Sequence, residues 1–357
     1  MNIGICGLGT VGGGTVTILQ DNSEQLSRRL GCTLRVSHVA SRTLHMDLDT
    51  QQIKTSNDIF AVANDPEVDI LVETIGGIDI ALKLVLQAID NGKHVVTANK
   101  ALIAEHGNEI FALAKAKGVV VSYESSVAGG IPIIKALREG LAANRIEWLA
   151  GIINGTGNFI LTEMATKQRD FDEVLAQAQE LGYAEADPRF DVEGIDAAHK
   201  LTIMASIAFG IPLQFESTFT EGISRITPAD ISYAKELGYA IKHLGIARVT
   251  KQGVEMRVHP TLVSLNTLIA NVDGVMNAVL VKGHAIGTSL YSGPGAGAGA
   301  TASSVVADIM DIARGLNVGA ADLGMPALAF AELDADLPIV PIEDIECEFY
   351  LRLSALD

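Results

Sequence analysis

The sequence predicts an α/β protein: a doubly wound parallel sheet followed by a second, α+β domain. Three observations carry this. Short apolar runs alternate with helical stretches over the first 135 residues, a glycine-rich turn closes the first run, and later the rhythm changes to long helices mixed with alternating strands. "MNIGICG" reads as a buried strand and "TVTILQDNSEQLSRRL" as the helix after it. "LRVSHVAS", "DILVET", "HVVTA" and "VVVSYE" then recur as strands with helical stretches between them. Beyond, helices are expected around 160–182 and 194–209, and strands at "RIEWLAGII", "GIARVTK" and "GVEMRVHP". The division this implies is a first domain over 1–135 with a return segment near 296–320, a second over 136–300, and a linker over 320–357.

Composition excludes several classes of function. With 357 residues, 48% of them hydrophobic, the chain can bury substantial cores in two or three domains. Its net charge of −17 removes any general attraction to nucleic acid or to an anionic membrane, so the expected partners are small molecules or other protein chains. No apolar run is long enough to cross a bilayer. Cys6, Cys32 and Cys347 show no metal-type pairing, and the chain opens directly into a strand without the features of a signal peptide, which points to a reducing cytoplasm.

The first turn, "GLGTVGGG", contains Gly7, Gly9 and Gly12 in the spacing G-x-G-x-x-G, with Thr10 and Val11 between the last two. Such a run is a weak signal alone, but here it follows a strand and opens a helix. Gly7 can then make the tight turn, Gly9 can admit a pyrophosphate close to the backbone, and Gly12 can let helix and strand pack closely. This is the pattern of a Rossmann-type dinucleotide site. At the end of the second strand, where an NAD site often carries Asp or Glu, "VASR" offers Ser41 and Arg42. Arg42 suits a 2′-phosphate, so NADP(H) is preferred over NAD(H); a solvated surface arginine is the alternative. Further on, "HVVTANKA" sets Asn99 and Lys100 just beyond a strand, at the carboxyl edge where parallel sheets bind ligands.

The most unusual stretch is "GYAEADPRFDVEGIDAAHK", which collects Glu185, Asp187, Asp191, Glu193 and Asp196 before closing on Lys200. It lacks the ligand alternation of a calcium loop. On a helix starting near Gly194, positions 196 and 200 are i and i+4 on one face, where Asp196 can aim the lysine ammonium; taken alone, this is an ordinary surface ion pair. His199, one position away, projects onto another face and is assigned a structural role.

In order along the chain, "GLGTVGGG", "TANKA", "SSVAGGIPII", "INGTGNFILTEM", "LGYAEADPRFDVEGIDAAHKL" and "GPGAGAGATASSVVADI" resemble the homoserine dehydrogenase family, through about residue 315. One departure is Gly157, where the family often has a second threonine. The resemblance implies reversible, nicotinamide-dependent interconversion of L-homoserine and L-aspartate 4-semialdehyde, a step toward threonine and methionine, in a homodimer whose second domain binds substrate and dimerises. It implies that Glu185 binds the substrate amine, that Asp191 and Asp196 also line the substrate site, that Asp196 and Lys200 lie at the reacting oxygen with Lys200 the proton donor, that Lys100 serves both catalysis and cofactor binding, and that Gly297 lies at the nicotinamide side. It further implies a structural monovalent cation such as Na⁺ on Glu124, Val127, Gly129 and Ile131; a bare glycine-rich turn is the alternative. Another NADP-dependent oxidoreductase, or a non-catalytic NADP-binding regulator, would share the glycine turn alone. Finally, "CEFYLRLSALD" alternates as a strand would and is similar to the first strand of an ACT regulatory domain, which implies a native chain that continues; an edge strand of a short-form enzyme is the alternative.

Overall fold

The structure, a computed structural model, describes residues 1–42, 52–319 and 325–353. The chain divides into one unit of Met1–Ala143, Ser206–Gln214 and Gly293–Leu333, and another of Asn144–Ala205, Phe215–Ser292 and Asp334–Asp357.

In the first unit, strands β1 (Asn2–Cys6), β2 (Arg35–Ala40), β3 (Lys54–Ser56), β4 (Ile70–Glu73), β5 (His94–Thr97) and β6 (Val121–Ser122) form a parallel sheet in the order β3-β2-β1-β4-β5-β6. Burial on both faces explains why these strands read as continuous apolar runs. Ile3, Ile5, Val39, Ile70 and Val72 pack on one side with Val16 and Leu19 of the helix Thr10–Asp21 and with Val305 and Ile309 of the helix Ala298–Asn317. Cys6, Leu71 and Val95 face the other way, onto Leu84, Val85, Leu102 and Ile110. The strand order reverses at β1, and the glycine turn leaves the sheet at that reversal, where such sheets bind ligands.

Two expected helices are each divided. The helix over 15–30 is Thr10–Asp21 followed by Ser23–Leu30, with Asn22 (φ −102°, ψ 11°) out of the helical region between them. Asn competes for backbone partners and favours such ends, and Glu24 and Arg28–Arg29 lie at the ends of the second piece that the helix dipole favours. The stretch 160–182 is likewise Gly155–Lys167 and Phe171–Glu180, broken at Gln168 (φ 54°).

The second unit's sheet runs β12 (Gly287–Pro294), β11 (Met276–Gly283), β7 (Ile146–Ile152), β9 (Tyr239–Val249), β10 (Val254–Ser264), β8 (Phe219–Thr220). Pairs β11/β7, β7/β9 and β9/β10 are antiparallel and β10/β8 is parallel. Gly245 on β9 admits Ile153 and Leu201, whose side chains lie 2.9 and 3.4 Å from where its Cβ would stand, so the helix Ile195–Phe209 beds closely on this sheet. The terminal alternation forms no ladder among the described residues. Phe349, Leu351 and Leu353 are exposed, while the Tyr350 hydroxyl donates to Asp230 Oδ1 (3.2 Å) and Arg352 Nη1 donates to Thr227 Oγ1 (3.2 Å). Periodicity specified extended backbone, but a strand also needs a partner edge.

Candidate functional site

Each glycine of the first turn meets the requirement its position imposes. Gly7 has φ +95°, and a Cβ there would lie 2.6 Å from the Thr74 carbonyl oxygen. A Cβ on Gly12 would lie 1.8 Å from the Gly7 carbonyl oxygen, so the helix can approach β1 this closely only without a side chain. Gly9 caps the helix and has open space around its Cβ position, leaving its backbone approachable. Thr10 and Val11 follow as the first helical residues. The helix Ala298–Asn317 crosses this one with the Ala298 carbonyl 3.0 Å from the Cβ position of Gly14, and Gly297 is its N-cap. Gly297 therefore belongs to the same neighbourhood as the fingerprint. Arg42 is exposed, two residues past β2, and the nine residues after it are outside the description. Lys100 is the first residue of the helix Lys100–Lys117, whose cap Asn99 accepts from Leu102 N (3.2 Å) and donates to the Gly77 carbonyl (2.6 Å).

The turn expected to hold a cation is tightly committed. Glu124 is buried, and its two carboxylate oxygens accept from the amides of Ile134 and Lys135, both at 2.9 Å. The Gly129 carbonyl accepts from Ser304 Oγ (2.7 Å), and the Ile131 carbonyl from Ile133 N (2.7 Å). Val127 N in turn donates to the Glu124 carbonyl (3.3 Å). Each Glu124 carboxylate oxygen, like the Gly129 and Ile131 carbonyls, keeps a lone pair beyond these bonds.

Asp308, on the helix Ala298–Asn317, accepts from Glu124 N (2.8 Å), and Lys135 Nζ stands 3.8 Å from it. Burial pushes both acids up to about 7, against the pull of Lys135. Their folded values exceed the unfolded ones, so their contribution to stability is complete at low pH and is lost as pH rises toward 7. Asp308→Asn keeps an acceptor for Glu124 N but cannot ionise. Its melting temperature should fall less than the wild type's between about pH 5 and about pH 8; equal slopes in thermal melts would refute this account.

In the second unit, the acidic stretch splits into outward and inward groups. Asp187 pairs with Arg189 on the surface, and that guanidinium holds its carboxyl down at about 2. Glu185 is exposed; its main-chain carbonyl accepts from Gln179 Nε2 (3.0 Å), and its carboxylate has no partner among the described residues. Asp191 and Asp196 turn inward to a residue whose role the sequence did not reveal, Asn154. This asparagine caps the helix Gly155–Lys167, its Oδ1 accepting from Gly157 N at 2.7 Å. The cap bond fixes which end of the amide is oxygen, so Nδ2 is the end that donates to Asp191 Oδ1 (2.7 Å) and Asp196 Oδ2 (2.8 Å). Lys200 Nζ donates to the same Asp196 oxygen (2.7 Å) and to the carbonyl of Ile153 (2.7 Å), with 11% of its side chain exposed. The expected i, i+4 pair is thus real and sits in a buried network rather than on an open surface. The available signal for Asn154 was an asparagine between a strand and a helix, in a stretch already singled out. His199 stacks on Phe215 at 4.1 Å between ring centroids.

A turn that lets pyrophosphate reach bare backbone at a helix start serves a dinucleotide, and a shielded lysine held by a carboxylate and a carbonyl can pass a proton to or from an oxygen. Fold and site define a nicotinamide-dependent oxidoreductase. The family profile described as "Homoserine dehydrogenase, NAD binding domain" matches residues 7–124, and that described as "Homoserine dehydrogenase" matches residues 132–310. The chain is 61% identical to homoserine dehydrogenase of Pseudomonas aeruginosa and 54% identical to that of Neisseria gonorrhoeae, each covering all of this chain and 82% of the relative. The crystal structure of a homoserine dehydrogenase from Thiobacillus denitrificans superposes with a TM-score of 0.93 at 60% identity, covering 97% of this chain and 80% of that one. A hyperthermophilic archaeal homoserine dehydrogenase in complex with NADPH matches at 0.73 and 26% identity, covering 93% of this chain and 99% of that one. The chain belongs to the homoserine dehydrogenase family, whose members interconvert L-homoserine and L-aspartate 4-semialdehyde with a nicotinamide cofactor.

Proposed function

We propose that Lys200 is the proton donor for aldehyde reduction and that Asn154, Asp191 and Asp196 orient it. The observation that carries this reading is the grip on Nζ by Asp196 Oδ2 and the Ile153 carbonyl, which aims a shielded ammonium from a fixed position. A bound reduced nicotinamide supplies the hydride to the aldehyde carbon. Lys200 gives a proton to the oxygen as it becomes a hydroxyl, then regains one from solvent; in homoserine oxidation it takes the hydroxyl proton instead. Glu185, with its carboxylate unengaged, binds the substrate ammonium, and Lys100 at its helix start assists at the reacting end. The test is reduction of aspartate semialdehyde by the purified protein with NADPH and NADH compared; an absence of turnover with both cofactors would reject the reading.

Gly7, Gly9, Thr10, Val11, Gly12 and Gly297 form the cofactor cradle in this reading, and NADP(H) is the preferred cofactor. The exposed guanidinium of Arg42 at the end of β2, and the NADPH bound by the archaeal relative, support that preference. Arg42→Ala should weaken NADPH at least about tenfold, roughly 1.4 kcal/mol, and NADH much less. Equal losses in binding titrations would remove the phosphate contact. A monovalent cation at the turn carrying Glu124, Val127, Gly129 and Ile131 is structural and takes no part in the transfer. The free thiols of Cys6, Cys32 and Cys347 support a reducing cytoplasm as the location, and among the described residues no helix is long and apolar enough to cross a membrane. The reading includes a homodimer serving threonine and methionine synthesis; sedimentation velocity gives its mass.

A further inference from the structure

We infer that His243 is a positioning residue for the Asn154, Asp196 and Lys200 set, its imidazole acting as a wedge between the starts of the two helices that carry them. The inference rests on the proton-donor reading of Lys200 and extends it to a residue outside the network's hydrogen bonds. His243 lies on β9 and is 5% exposed. Its Nε2 is 2.9 Å from the Glu221 carbonyl oxygen, which can only accept, so Nε2 carries the proton and the ring is pinned in one tautomer. The ring's other edge meets two glycines. At Gly157, in the first turn of the helix capped by Asn154, a Cβ would lie 3.7 Å from His243 Nδ1 and 3.3 Å from Asn154 Oδ1. At Gly194, immediately before the helix that bears Asp196 and Lys200, a Cβ would lie 3.0 Å from His243 Cε1. Gly194 also has φ +84°, a conformation few other residues adopt.

The ring thus crowds the Cβ position of Gly194, together with Thr220 and Val258, and lies in ordinary contact distance of that of Gly157, so it packs against both helix starts. Those starts must keep a set separation, because the Asn154 Nδ2 to Asp196 Oδ2 bond of 2.8 Å spans them. Hydrogen bonds weaken steeply with misalignment, so a shift of a few tenths of an ångström tilts the carboxylate that aims Lys200. The imidazole does this at a cost: Nδ1 is buried without a partner among the described residues, a penalty a purely apolar filler would avoid. A Cβ at residue 157 would meet the ring at 3.7 Å, an ordinary contact, so only atoms beyond it would press on the imidazole.

The test is a double-mutant cycle read by steady-state kinetics of aspartate semialdehyde reduction. His243→Leu should lower kcat about tenfold with NADPH affinity unchanged, whereas in an Asn154→Ala background it should change kcat less than about twofold. If the leucine variant does not fold, His243→Gln takes its place: it can still donate to the Glu221 carbonyl but cannot wedge, and should fold with reduced kcat. A full effect of His243→Leu in the Asn154→Ala background, or near-normal kcat in the single variant, overturns the inference. Failure of the underlying reading looks different: Asn154→Ala and Lys200→Ala would then both keep wild-type turnover.

Discussion

Lys200→Ala should lower turnover in both directions by at least about 100-fold, the low end of what a positioned general acid contributes. Nζ is held by two acceptors, with Asp196 Oδ2 and the Ile153 carbonyl each at 2.7 Å, and a methyl group retains none of this. The variant leaves Asp196 buried beside Asn154, so some stability is lost as well, and circular dichroism must show that the fold survives. Cofactor affinity is expected to stay within about twofold, because the glycine turn and not Lys200 forms the proposed cofactor cradle. Homoserine oxidation by the wild type should speed up toward alkaline pH, since the amine must lose its proton before it can take one from the hydroxyl. The alanine variant should lose that dependence. Turnover near the wild-type level would exclude Lys200 as the donor.

Gly12→Ala should damage the other half of the machinery. Its new carbon would stand 1.8 Å from the Gly7 carbonyl oxygen and 2.7 Å from Thr74 Oγ1, and backbone on the strand side cannot yield as a flexible side chain can. The helix Thr10–Asp21 must therefore move off β1, carrying with it the helix start that receives the pyrophosphate. Overpacking of this kind costs about 1–3 kcal/mol of stability, and a displaced helix start should weaken NADPH by at least about tenfold. Gly9→Ala provides the contrast. Nothing stands within 4 Å of its Cβ position, so the melting temperature should hold while a methyl intrudes where the cofactor must approach. A Gly12→Ala protein with wild-type melting temperature and wild-type NADPH affinity would show that close helix–strand contact is not what this glycine supplies.

The parts of the site that were legible in advance are those whose physics is local. Three glycines at fixed spacing between a strand and a helix announce their roles because the turn, the approach and the crossing all lie within six residues. Asp196 and Lys200 are four apart on one helix, so their meeting follows from helical geometry alone. Helix length was less legible: Asn22 and Gln168 each end a helix that periodicity would continue, since apolar spacing carries on across a break when both pieces pack on one surface. At the terminus, the alternation of Phe349, Leu351 and Leu353 was read as a strand, yet the neighbour that would make it one is not among the described residues.

The sequence by itself determined the α/β class, the dinucleotide turn and the lysine that the proposed chemistry uses, because chain proximity already forces those residues together. Only the tertiary structure decided which carboxylates turn inward and what holds them. Asn154 lies 37 residues from Asp191 and 42 from Asp196, and nothing local chooses between those two and the neighbouring Glu185 or Asp187. The choice is made by a helix cap that turns one amide inward, by a sheet that sets the Ile153 carbonyl opposite Lys200, and by a ring on β9 that meets both helix starts. Burial does the rest: it strips water from Asp196 while leaving Glu185 and Asp187 exposed, and so gives different surroundings to residues that look alike in the chain.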